Sequence, residues 1–229
     1  MARLFELLIL KNTIMFSFFK KMRRQRRLKK EMLLIDQRDW GRIADFLPLS
    51  DEIQLYLVKS HWLEGIGTYQ RFYSFGSQAR ALLIEEAQGY ASENIIEFGL
   101  SPDEETLLVT KGDIENIRFF IEQGYMFSEE NEFLFVQRAM QDERLEQLFI
   151  NYAEKRKRLL SQKTESFLVQ QGRSRFVLAY IKIPCEYGLT AQSEVELIKR
   201  LDKRLIYAYE KNYNWLPDAQ DLIDAGWLN

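Results

Sequence analysis

Residues 101–124 read Ser101-Pro102-Asp103-Glu104-Glu105-Thr106-Leu107-Leu108-Val109-Thr110-Lys111-Gly112-Asp113-Ile114-Glu115-Asn116-Ile117-Arg118-Phe119-Phe120-Ile121-Glu122-Gln123-Gly124. The punctuation of this stretch predicts two short helices. Ser101 with Pro102 at the first helical position and Glu104 three residues after the Ser is the capping-box pattern. The helix so opened carries Leu107, Leu108 and Val109 and stops at Gly112. Asp113 then caps a second helix, in which Ile114, Ile117, Phe120 and Ile121 fall on one face. Gly124 closes it as a helix-ending glycine. The intervening residues are rich in Glu, Arg and Leu, which favour helix, so a pair of strands is the poorer reading.

Outward from this unit the pattern recurs. The apolar triplet 107–109 has counterparts at 33–35, 56–58, 82–84, 134–136, 167–169, 196–198 and 221–223, with steps of 23, 26, 25, 27, 33, 29 and 25 residues between their last members. A second apolar anchor follows about twelve residues later: Phe46-Leu47, Ile95-Ile96, Phe120-Ile121, Phe149-Ile150, Tyr180-Ile181 and, more loosely, Tyr207 to Tyr209, with a blurred version at Tyr69 to Phe72. Burying five or six apolar side chains gains on the order of 2 kcal/mol each. Ordering a unit of this length costs roughly 1–2 kcal/mol per residue in backbone entropy. No hairpin stands alone, and stacking of neighbours is required. The sequence therefore predicts an all-α fold: an α-solenoid of about seven short helix-turn-helix repeats over residues 31–229. The long step predicts an insertion near 151–163, carrying Lys155-Arg156-Lys157-Arg158, as a longer second helix or a basic loop. Residues 220–229 form a half-repeat cap.

Charge is polarised although the net is only −2. Residues 1–30 carry ten basic side chains against one acidic, and residues 79–132 carry three against thirteen. Residues 1–30 form an apolar and basic N-terminal extension. Its apolar patches are interrupted by Arg3, Glu6, Lys11 and Asn12, a pattern suited neither to a spanning helix nor to a signal peptide. Met15 is an alternative start to Met1. The block from Lys20 to Lys30 is read as a solvated or partner-bound arm.

The stretch 111–124 resembles the second helix of an ankyrin repeat, without that family's Thr-Pro-Leu-His opening or its longer unit. The chain as a whole is similar to uncharacterised bacterial short helical-hairpin repeat proteins. That resemblance implies a solenoid and brings no activity with it.

Chemistry is sparse. One histidine, His61, and one cysteine, Cys185, cannot form a Cys/His zinc site. A Cys-His pair would have to bridge units about five repeats apart. Gly65-Ile66-Gly67 lacks the third glycine and the preceding strand of a phosphate loop. No catalytic, metal or cofactor residue is assigned, and a non-catalytic scaffold that binds a protein partner, or its own copy, is the expected function. The acidic block, with Glu93, Glu97, Glu115 and Glu122, would draw a basic partner. Arg23, Arg24, Arg26 and Arg27 offer a second surface for an anionic membrane or a nucleic acid. A carboxylate enzyme site in a groove is the remaining alternative. The lone cysteine places the chain in a reducing, cytoplasmic compartment.

Overall fold

The computed structural model describes residues 2–86 and 99–227, with side chains from residue 17 onward. Among them the chain is all-helical and falls into two compact units, Met1–Leu83 and Ile84–Asn229.

In the first unit a long helix, α1 (Ala2–Asp36), packs against α2 (Trp40–Ile43) and α3 (Asp51–Lys59). A 3-10 turn at Ala44–Phe46 follows α2, and α3 pairs with α4 (Leu63–Gln70). The division expected at residue 30 falls inside α1, which runs unbroken from the basic block into the first apolar triplet. Its docked end buries Glu31, Leu34 and Ile35. Helix α5 (Ser77–Glu86) carries the boundary between the units.

The second unit continues through α6 (Pro102–Lys111), α7 (Ile114–Glu122), α8 (Glu129–Ala139), α9 (Glu143–Lys155), α10 (Gln162–Gln171), α11 (Ser174–Ile181), α12 (Ala191–Lys199), α13 (Lys203–Glu210) and α14 (Pro217–Asp224). Two rows of contact run through it. Helices α6, α8, α10, α12 and α14 each touch the next in that order, and so do α7, α9, α11 and α13. The expected capping box at Ser101 is present, with the Ser101 hydroxyl and the Glu104 carboxylate each accepting from the other's backbone N–H. Asp113 caps α7, and Gly124 takes φ +78° just beyond it.

Each of the eight apolar triplets lies in a helix, but a helix cannot turn three consecutive residues toward one core. In the clearest cases the last two are buried, as Leu108 and Val109, Phe135 and Val136, and Leu168 and Val169, while Leu107, Leu134 and Phe167 are only half-buried. The long step is taken up by a longer second helix, since α9 has 13 residues against 8 in α11 and α13. Of its basic residues Lys155 and Lys157 stay exposed, Arg156 is half-buried and Arg158 turns inward. Lys155 Nζ donates to the Glu122 backbone carbonyl (2.8 Å), Arg156 to that of Leu159 (2.6 Å), and Arg158 is buried. The second anchor Ile95-Ile96 lies outside the described residues.

Candidate interaction surface

The first helices of the second unit are set in register by a seam of buried carboxylates. Glu105, Glu132, Glu165 and Glu194 stand four residues after the N-caps Ser101, Ser128, Ser161 and Thr190, and all four are buried. Each accepts the backbone N–H of the next first helix's N-cap residue: Ser128 to Glu105 (2.6 Å), Ser161 to Glu132 (2.7 Å), Thr190 to Glu165 (2.7 Å) and Leu216 to Glu194 (2.7 Å). Each also accepts a tyrosine O–H from the second helix of its own pair or the turn after it: Tyr125 (3.0 Å), Tyr152 (3.2 Å), Tyr180 (2.7 Å) and Tyr209 (2.5 Å), respectively. A carboxylate so placed faces the positive end of the following helix and receives charge-assisted hydrogen bonds, which offset its desolvation. Ionising the tyrosines would put a second negative charge in the same buried site. Burial first and then Glu105 push the Tyr125 hydroxyl up to about 12, and Tyr152, Tyr180 and Tyr209 are raised for the same reasons. They remain donors at physiological pH. In the first unit an amide does the same work: Gln54, four residues after Ser50, accepts the Gly76 N–H (2.7 Å) and donates to the Leu49 carbonyl (2.8 Å).

At the other end of these helices, arginines close the carbonyl ends. Arg138 of α8 donates to the carbonyls of Leu108, Val109 and Gly112 at 3.4, 3.3 and 2.9 Å. Arg200 repeats the contact two units later, to Val169 (2.6 Å), Gln170 (3.4 Å) and Gly172 (2.7 Å). A side chain at Gly172 would strike the helix it ends, its Cβ standing 2.5 Å from the Leu168 carbonyl oxygen. A third tie joins the loops after α9, α11 and α13. Arg158 lies over the rings of Tyr180 and Tyr213 and donates to the Tyr213 hydroxyl (3.0 Å), whose O–H donates to the Cys185 carbonyl (3.4 Å), and the Cys185 thiol donates to the Lys157 carbonyl (3.3 Å).

With the inner faces committed, the outward face of α8, α10 and α12 forms an open groove of about 690 Å³. Its floor is the edge-to-face pair Phe133 and Phe167, with ring centroids 5.0 Å apart, and the Lys163 ammonium lies 3.9 Å above the Phe133 ring. Its far wall is Glu196, held by Gln170 (3.1 Å), Gln192 (3.0 Å) and Lys199 (3.2 Å). The arrangement suits an apolar side chain laid on the exposed ring surfaces, with polar contacts along the rim. Comparison with protein-family models, curated proteins and solved structures returns no match.

Of the acidic residues expected to bind a partner, Glu115 and Glu122 do not line this groove. Glu115 and Glu122 are exposed on α7, Glu115 paired with Arg118 at 3.4 Å. Glu93 and Glu97 lie outside the described residues. Two further acids of the −10 block, Glu105 and Glu132, belong to the buried seam. On α1, Arg24 pairs with Glu52 (3.1 Å), and Arg27 pairs with Glu31 (2.7 Å) and donates to the Phe46 carbonyl (3.1 Å), while Arg23 and Arg26 are exposed. His61 is an exposed turn residue with φ +51° between α3 and α4, and Cys185 is in the other unit. Of the dense aromatics near the acidic block, Phe75, Phe120 and Phe127 are core and Phe72 is exposed. Sequence reasoning gave Phe133 and Lys163 no role and counted Phe167 in a core triplet. The signal of the two rings is positional: each stands just ahead of the two core residues of a triplet, where a helix turns outward.

Proposed function

We propose that the chain is an α-solenoid scaffold of about seven helical hairpins, non-catalytic and cytoplasmic, that binds a protein partner along the outward face of its first helices. The observation that carries this reading is the pair of contact rows in the second unit, α6 to α14 and α7 to α13, in which each helix packs on the next, with the Phe133 and Phe167 groove on the outer side of the first row. Repeat architectures stabilise themselves through such neighbour interfaces and leave an extended face for ligands. The seam and the arginine clamps support a rigid platform, which lowers the ordering cost of association. A single histidine and a single cysteine support the non-catalytic reading, and the lone cysteine supports a reducing compartment.

Quantitative affinity capture with the intact protein and with the Phe133→Ser/Phe167→Ser variant tests this. Both positions are only half-buried, so the variant should keep its helical circular dichroism. Partners recovered by the wild type and lost from the folded variant would support the proposal. An unchanged set of partners would overturn the assignment to this groove.

A further inference from the structure

We propose that the outward face of α1 is a docking surface for an anionic lipid bilayer. Two faces of this helix have different occupants. The inner face, with Arg24, Arg27, Glu31, Leu34 and Ile35, is taken by the rest of the first unit. Arg24 meets Glu52, Arg27 meets Phe46 and Glu31, and the Lys30 ammonium lies 5.1 Å above the Phe46 ring. On the opposite side Phe18, Met22, Arg26, Lys29 and Leu33 recur at steps of three or four residues and so form one stripe.

This stripe is both apolar and basic. Phe18, Phe19 and Leu33 are 59%, 56% and 53% exposed, a large apolar outlay for a helix already docked by its other side. Arg26 and Lys29 are exposed on the stripe, with Lys21 and Arg23 exposed along its edges. Large apolar side chains flanked by lysine and arginine on one helix face match a surface whose headgroups are negative and whose interior is oil. Nucleic acid would satisfy the basic residues and leave Leu33 and Met22 without a role. No helix among the described residues is long and apolar enough to cross a membrane, so the contact proposed is peripheral. The stretch from Phe18 to Leu33 would lie along the bilayer for about 22 Å at 1.5 Å per residue.

The test is flotation of the full chain with vesicles of phosphatidylcholine alone and of phosphatidylcholine with phosphatidylserine. The wild type should bind the mixed vesicles and not the neutral ones, and added salt should weaken binding. Phe18→Ser/Leu33→Ser and Arg26→Ser/Lys29→Ser should each lower the partition coefficient by about tenfold. All four side chains are outward, so the urea midpoints should match the wild type. Failure to bind anionic vesicles overturns the proposal without touching the groove assignment. So does equal binding by the Phe18/Leu33 variant. Binding to single- or double-stranded oligonucleotides that is lost in the Arg26/Lys29 variant and kept in the Phe18/Leu33 variant would also overturn it, in favour of a nucleic-acid surface.

Discussion

Glu132 shows how much one side chain holds. Its carboxylate is the acceptor for both the Ser161 N–H and the Tyr152 O–H. Glu132→Ala should leave two buried donors unmet and cost about 3 kcal/mol, read as a lowered urea midpoint. Glu132→Gln should cost about 1 kcal/mol, because one amide oxygen still accepts. Gln54 already shows an amide in the corresponding place. The pH dependence has two signs. Asp142 and Asp202 cap α9 and α13, and hydrogen bonds, chiefly from the Arg144 side chain and the Ser174 hydroxyl, hold their carboxyls below the usual range. Their share of stability is present above the unfolded-state pKa and is lost as pH falls through the lowered folded one. Glu194 is raised, mainly by burial, so its share moves the other way and weakens as pH rises through its window. Acid titration of the Asp142→Asn/Asp202→Asn double variant should therefore show a shallower loss of stability below neutrality than the wild type. Every seam residue was visible in the sequence as Ser or Thr followed by Glu four residues on. A glutamate in a helix's first turn reads as an ordinary dipole partner. Only its meeting with an N–H 22 to 29 residues later reveals the seam.

Elements were more legible than contacts between them. The cap of α6, the face of α7 and its closing glycine all followed from local chemistry, because caps and stops are decided within four residues. The inward turn of Arg158, and the carbonyls that Lys155 and Arg156 find, were not legible. A basic run reads as solvated until the carbonyls and rings that receive it are known. Arg138 and Arg200 are a similar case, long-range clamps that look like surface charges. Arg200→Ala should cost about 2 kcal/mol by uncovering the carbonyl end of α10, and Arg200→Lys should recover part of it, since one terminal nitrogen, Nη1, meets all three carbonyls. Gly172→Ala should be destabilising as well, and chemical denaturation of the three variants checks the set.

At the scale of the second unit, packing chiefly between successive helices of each row keeps disturbance local. Leu168 is fully buried in α10, and Leu168→Ala should cost about 2–5 kcal/mol. Hydrogen exchange should quicken in α8, α10 and α12 and change far less in α6, which packs chiefly on α8. The seam has a consequence for how such a chain can lengthen or shorten. Because every junction joins the same carboxylate position to the same kind of N–H, the joints are interchangeable. Excising residues 128–160 would bring Glu105 to the Ser161 N–H and close the gap with a joint of the kind already present. A gene that drops such a segment keeps a carboxylate joint across the splice, while losing 128–160 also takes Arg158 from its tie to Tyr180 and Tyr213.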